Sequence, residues 1–82
     1  MDYATKMAIR AIVSGLRYSQ RINDADCEAI VQALAEAAEK ARDSSRRDDG
    51  ERLDDFGADI ARDCFGADHA IALAARRRAE GR

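Results

Sequence analysis

The sequence predicts an all-α fold, a small bundle of three to four helices. Eighteen of its 82 residues are Ala and none is Pro, so no residue interrupts a helix interior outright. Apolar residues recur at intervals of three and four along most of the chain, which is the spacing of amphipathic helices. Because this length accommodates one domain, we expect residues 1–82 to form a single helical domain.

A chain of this size with few large apolar side chains can form only a small hydrophobic core. Such a core contributes about 3–5 kcal/mol of stability. We therefore expect self-association or a binding partner to stabilise the protein.

The first helix is predicted from about Tyr3 to Gln20, with Asp2 as its N-cap. One apolar column consists of Ile9, Ile12, Val13 and Leu16; a second, on another side, consists of Tyr3, Met7, Ala11, Ser14 and Tyr18. Between the columns lie Lys6, Arg10 and Arg17. A helix that is apolar on two sides is central in its bundle or is buried by a partner. We expect both columns to pack internally; the alternative is a homodimer with a contact face of Tyr3, Met7, Ala11 and Tyr18.

The second helix is predicted from Asn23 or Asp24, either of which can serve as its cap, to about Asp43. Its apolar and charged residues separate cleanly onto opposite sides. The apolar side consists of Cys27, Ile30, Val31, Leu34, Ala35, Ala38 and Ala41. Residues 43–50 contain no apolar side chain and end in a glycine, and we expect them to form a loop.

A third helix is predicted from about Glu51 to Phe65, and Gly66 stands where a helix-terminating glycine belongs. Asp68 would cap a short fourth helix that ends near Arg78. The alternative is one continuous helix, because a 4-3-4-3 spacing of small and apolar residues runs through Gly66 without a break. That spacing is formed by Leu53, Gly57, Ile60, Cys64, Ala67, Ile71 and Ala74.

Three carboxylates lie in one column of the third helix, at Asp55, Asp59 and Asp63, opposite a core stripe. The stripe consists of Leu53, Phe56, Ile60 and Cys64. Like charges four residues apart repel by a few tenths of a kcal/mol per pair, so folding alone does not require this acidic column. We expect it, together with Arg62, to face solvent and to contact a basic surface of a larger protein. Three alternatives are a solvated face with no partner, the cationic strip of a second copy, and the first helix of the same chain.

Cys27 and Cys64 both lie on predicted core stripes and are expected to be buried thiols of a reducing compartment. No apolar run has the length of a membrane span, and the N-terminus lacks the apolar segment of a signal peptide. We therefore expect a cytoplasmic protein. Its Arg-rich and Ala-rich composition is typical of GC-rich bacterial or phage genomes.

The sequence contains no nucleophile paired with a base and no glycine-rich phosphate loop, and its single histidine, His69, has no second nitrogen ligand. Two acidic pairs stand in its middle, Glu36 with Glu39 and Glu51 with Asp54. This pattern resembles the paired acidic motifs of the all-α nucleoside-triphosphate pyrophosphatases of the MazG type. The resemblance implies that carboxylates of two helices hold Mg²⁺ against the substrate's phosphates. The pattern departs from the family, because Glu36 and Glu39 lie opposite the apolar side of their helix and Glu51 lies at the edge of a loop.

From these observations we expect a non-enzymatic protein-binding module or inhibitor, encoded by a phage or mobile element, which needs no cofactor or metal and docks through the acidic column. One alternative function is the Mg²⁺-dependent pyrophosphatase. The other is a small dimeric DNA-associated protein, whose phosphate contacts would come from the first helix and a basic tail. That tail consists of Arg76, Arg77, Arg78 and Arg82.

Overall fold

A computed structural model describes residues 2–81 of the chain and divides them into four α-helices. The helices are α1 (Tyr3–Tyr18), α2 (Asp24–Asp43), α3 (Arg47–Phe65) and α4 (Ala70–Glu80). The described part of the chain is helical with short connections and contains no strand, which confirms the predicted all-α class. No helix within residues 2–81 combines the length and the apolar character that crossing a bilayer requires.

Helix α3 is the centre of the arrangement, because α1, α2 and α4 all pack against it. The ion pairs Lys6–Asp59 and Arg10–Asp63 advance in the same direction along both helices, so α1 and α3 run roughly parallel. The molecule is a flattened body with dimensions of 38 × 27 × 17 Å. Its smallest dimension is about one and a half helix diameters, since a helix with its side chains is about 10–12 Å across.

Helix α2 has Asn23 as its N-cap, one of the two predicted candidates, and begins at a capping box. Oδ1 of Asn23 accepts a hydrogen bond from the backbone N–H of Asp26 at 2.9 Å. Oδ2 of Asp26 accepts one from the backbone N–H of Asn23 at 2.9 Å. These two bonds satisfy donors that every helix start leaves without a partner. The start of α2 is therefore determined by hydrogen bonds between residues close together in the sequence.

The predicted loop at residues 43–50 is wrong in its second half, because α3 already begins at Arg47. The connection is a tight turn in which Ser45 has a φ of +63° and the backbone N–H of Arg46 donates to the carbonyl of Ala41 at 2.8 Å. Asp48 and Asp49 in the first turn of α3 favour a helix start electrostatically. The buried Gly50 lets this first turn lie close to α2. No apolar periodicity marks these residues, and for that reason the sequence did not indicate a helix.

The break between α3 and α4 is confirmed, so the alternative of one continuous helix is wrong. Gly66 has a φ of +91°, a left-handed conformation that side chains disfavour, and its N–H donates to the carbonyl of Arg62. The cap of α4 is His69 instead of Asp68: its Nδ1 accepts a hydrogen bond from the backbone N–H of Ile71 at 3.1 Å. Helix α4 continues to Glu80.

The core lies between α2, α3 and α4 and confirms the apolar sides predicted for α2 and α3. Cys27 and Ile60 are fully buried, and Phe56 and Cys64 lie beside them. Helix α4 contributes only small buried side chains, those of Ala72, Ala75 and Ala79. Both cysteines are free thiols, as expected for core positions. The core is therefore thin, and its largest fully buried side chain is a single isoleucine.

Helix α1 differs most from expectation. It ends at Tyr18, two residues before the predicted Gln20, and Val13 is its one buried residue. The prediction that both apolar columns pack internally is wrong, because Ile12 of one column and Tyr18 of the other both lie in solvent. The physical reason is the contact between α1 and α3 described below.

Gly50 provides a test of the close contact between α2 and α3. A Cβ atom at this position would lie 2.9 Å from Cγ of Arg42 and 3.0 Å from the backbone oxygen of Ala38. We expect Gly50→Ala to lower the free energy of unfolding by about 1 kcal/mol or more, since overpacking outweighs the helix propensity of Ala. The measurement is equilibrium unfolding in urea.

The matched control is Gly57→Ala in the same helix, where the added Cβ would lie 3.6 Å from Cβ of Leu34, an ordinary contact. We expect this variant to be neutral or more stable by up to about 1 kcal/mol. Equal stabilisation by both substitutions would contradict the close approach at Gly50.

Burial also determines the reactivity of the Cys64 thiol. Burial, followed by its hydrogen bond with Cys27, raises the pKa of Cys64 from an ordinary 9.0 to about 12. Since the thiolate is the reactive form, native Cys64 is expected to resist alkylation at about pH 8.5, near the pKa of an exposed thiol. Reaction should accelerate only as the pH approaches the raised pKa or when the protein unfolds.

Peptide mass spectrometry after iodoacetamide treatment measures this reactivity. The control is the exposed thiol introduced by Ala4→Cys, which should react quickly in the same sample. Labelling of Cys64 at a similar rate in the folded protein would show that the core is open to reagent.

Candidate functional site

The site begins with the two ion pairs that attach α1 to α3. Nζ of Lys6 lies 2.8 Å from Oδ2 of Asp59. Arg10 donates two hydrogen bonds to Asp63, from Nε to Oδ2 at 2.7 Å and from Nη2 to Oδ1 at 2.9 Å. Such two-point contacts between arginine and carboxylate are stronger than single ones. The hydrogen bond that Arg10 donates to Asp63 raises the pKa of the Arg10 guanidinium above its usual range.

Arg17 continues the same strip of cations toward the end of α3. Its Nε donates to the backbone oxygen of Cys64 at 3.2 Å, and its guanidinium lies 5.4 Å from the ring centroid of Phe65. A cation at this position complements the negative end of a helix dipole. Arg17 also forms an ion pair with Asp24 at the start of α2. All three cations of α1 therefore face the protein's own helices.

These contacts bury much of the acidic column that was predicted from the sequence. The side chains of Asp59 and Asp63 are only 24% and 18% exposed, and Arg62 lies near Asp59 with Nη2 3.6 Å from Oδ1. The expectation that the column faces solvent is corrected for these two residues, whose cationic partner is the first helix of the same chain. Asp55 is exposed. That the column binds a partner remains a prediction.

The sequence contains a signal for this pairing. Lys6 and Arg10 are four residues apart, and so are Asp59 and Asp63, so two parallel helices can bring both pairs into contact at once. The first helix of the same chain was one of the predicted alternatives for contact with the acidic column. The cations take the inward position between the two apolar columns of α1, and most of both columns, Val13 excepted, therefore faces outward.

The solvent side of α1 is uncharged as a result. Eleven positions of α1 are exposed and none of them carries a charge, whereas seven of the eleven exposed positions of α2 do. A surface helix of a soluble protein normally shows its charged face to water. Helix α1 has the reverse orientation, with its charges inward and its uncharged side outward.

Large apolar side chains make up much of this surface, which we call the outer face of α1. Tyr3 is 77% exposed, Ile12 63% and Tyr18 92%. The large members of the outer face are Tyr3, Met7, Ile9, Ile12, Leu16 and Tyr18, and the small ones are Ala4, Ala8, Ala11 and Gly15. Exposed apolar side chains that occur singly are normal, but a contiguous group of this size is typical of an interaction site.

Two of the acidic residues that resemble the pyrophosphatase motif form ion pairs with an arginine of the same chain. Asp54 is buried and forms an ion pair with Arg42, while its Oδ1 lies 3.9 Å from Nε of Arg78. Glu39 pairs with Arg42 at 3.2 Å, and Glu36 is exposed on α2. Within residues 2–81, no three His, Cys, Asp or Glu side chains come together as a group that could hold a metal ion.

The basic tail is also engaged in part. Nε of Arg76 lies 3.5 Å from a carboxylate oxygen of Glu80, and Arg78 lies near Asp54. Arg77 is exposed, and Arg82 lies outside the described residues. Because the cations of α1 point toward α3, the structure does not combine them with this tail into one basic surface.

A groove of about 430 Å³ lies near the start of α1. Leu53, Phe56 and Ala41 provide apolar lining, and the charged side chains of Lys6, Asp49, Arg52 and Asp55 complete the lining. The groove contains no histidine, cysteine or hydroxyl side chain among its lining residues. The groove is a surface depression with both apolar and charged lining.

Comparison with protein-family models, with curated proteins and with solved structures finds no match for this chain.

The Arg10–Asp63 contact can be tested by a double-mutant cycle. We expect Asp63→Ala to lower the free energy of unfolding by about 1–2 kcal/mol, because it removes two charge-assisted hydrogen bonds that are partly shielded from water. Combined with Arg10→Ala, the cycle should give a coupling free energy of about 1 kcal/mol.

Glu28→Ala removes an exposed carboxylate of α2 and serves as the control, with an expected change within about 0.5 kcal/mol. Additive effects of the Arg10 and Asp63 substitutions, with no coupling, would show that the ion pair does not hold α1 in place.

Proposed function

We propose that this chain is a non-enzymatic protein-binding module and that the outer face of α1 is its contact surface. The observation that carries the proposal is the reversed orientation of α1, whose exposed positions are all uncharged while its three cations face inward. Keeping this surface in water is unfavourable, since apolar area costs about 25 cal/mol per Å². A protein partner that covers it would remove that cost.

The size of the outer face supports a protein partner. Its six large side chains expose on the order of 700 Å² in total, given that a large aromatic side chain presents about 150–250 Å² when free. The largest apolar patch of an ordinary monomer measures about 300–600 Å², whereas a standard protein interface buries about 800 Å² per partner. The outer face therefore has the dimensions of an interface.

The acidic column supports this proposal in a different way from the one that the sequence suggested. Asp59 and Asp63 hold the cations of α1 against α3 and so present the apolar side outward. A module of this kind acts by occupying a surface of its partner, as an adaptor or an inhibitor does. The contact needs no cofactor.

Site-specific photocross-linking tests the proposal. A benzophenone amino acid placed at Ile12, a 63% exposed position of the outer face, should yield one discrete protein adduct in cells that express the chain. The control position is Ala33, an exposed and uncharged position on α2. Each variant should first show a helical spectrum and a cooperative thermal transition.

An adduct that forms from Ile12 and not from Ala33 is the expected result. No adduct from Ile12, or the same adducts from both positions, would mean that the outer face of α1 is not a contact surface.

A further inference from the structure

We infer that the outer face of α1 binds a second copy of this chain, in a two-fold dimer with the two α1 helices antiparallel. This inference rests on the proposed function and names its partner. Three observations support a second copy: the electrical neutrality of the face, the excess surface of the monomer, and the order of residues along the face.

Neutrality restricts the chemistry of the partner. A charged surface brought against the outer face would lose its hydration and gain no opposite charge in return. The face therefore fits an uncharged and mainly apolar surface of similar length. The outer face of a second copy meets these conditions, and it is present wherever the first copy is.

The surface area of the monomer is larger than its mass requires. The chain exposes 5445 Å², whereas a compact monomer of 9.0 kDa exposes about 4,900 Å². The excess of several hundred Å² is comparable to the outer face itself. Pairing two outer faces would cover much of this excess in both copies.

The order of residues along the outer face is nearly the same when α1 is read from either end. Small residues form its middle, with a Tyr and Met side and an Ile and Leu side flanking them. In an antiparallel pair centred near residues 9–11, four pairs of positions bring like residues together, whereas Met7 lies opposite Ser14 and Leu16 opposite Thr5. The opposed pairs are Ala4 with Gly15, Ala8 with Ala11, Tyr3 with Tyr18, and Ile9 with Ile12.

This order makes the contact self-complementary, which a two-fold interface requires because both copies use the same surface. The small middle residues allow the two helix backbones to approach closely. Apart from its chain neighbours and the backbone of its own helix, nothing lies within 4 Å of a Cβ built on Gly15, so the surface at this position is open in a single copy. The tyrosine rings can stack across the edge of the contact while their hydroxyl groups stay in water.

The mass of the protein in solution tests the inference. Sedimentation equilibrium over about 1 µM to 1 mM, the range of weak to moderate affinities, should show conversion from 9.0 kDa to twice that mass. Ile12→Glu places an unpaired charge in the contact and should weaken dimerisation by about 100-fold or more. Ala33→Glu adds the same charge on α2 and should leave the dimer unchanged.

Two outcomes overturn the inference: a monomeric mass throughout the concentration range, or a dimer that Ile12→Glu and Ala33→Glu affect equally. Circular dichroism of each variant shows that a loss of dimer is not a loss of fold. If the photocross-link at Ile12 joins a different protein while the chain is monomeric, self-association is wrong and the proposed function stands. A monomer without any cross-link contradicts both.

The antiparallel arrangement has its own test. Ala4→Cys protein mixed with Gly15→Cys protein, in a buffer with oxidised glutathione, should give mixed disulfide dimers faster than either protein alone. The native thiols contribute little, because Cys27 and Cys64 are buried. Faster dimers of Ala4→Cys with itself would indicate parallel helices and would overturn the arrangement.

Discussion

The ion pairs between α1 and α3 determine which side of α1 is exposed to solvent. Lys6 and Arg10 reach Asp59 and Asp63 across the helix interface and are themselves partly buried there. The acidic column repels itself when α3 is considered alone, and the cations of α1 relieve that repulsion. The same contact sets the rotation of α1 about its own axis. Every exposed residue of α1 is uncharged because the charged ones are used inside the molecule.

The rest of the fold explains why such an orientation is tolerated. Helix α3 already has its apolar stripe covered by α2 on one side and by the alanines of α4 on another. What remains for α1 is the acidic side of α3, against which an apolar helix face would leave carboxylates desolvated without partners. A cationic strip satisfies them, and Val13 adds one apolar contact beside it. The result is a thin, flattened domain with a small core and one uncovered helix face.

This architecture links stability to association. The core is small, with Ile60 and Cys27 fully buried and Phe56 only 3% exposed, and it contributes modestly to stability. The buried Asp54 lies between Arg42 and Arg78, and the cost of burying these charges offsets much of their attraction. Covering the outer face of α1 would add further buried apolar surface to that of this small core. A partner that covers the outer face would therefore also stabilise the folded state.

The sequence by itself determined the features that depend on neighbouring residues. The capping box at Asn23, the break at Gly66 and the buried stripe of Phe56, Ile60 and Cys64 follow from local hydrogen bonding, backbone conformation and helical periodicity. Only the tertiary structure decided where α3 begins, since the first turn of α3 depends on the close contact of Gly50 with α2. It also decided which side of α1 faces inward. Periodicity cannot rank two apolar columns and a cationic strip on one helix, because the choice depends on carboxylates about fifty residues away that attract the strip.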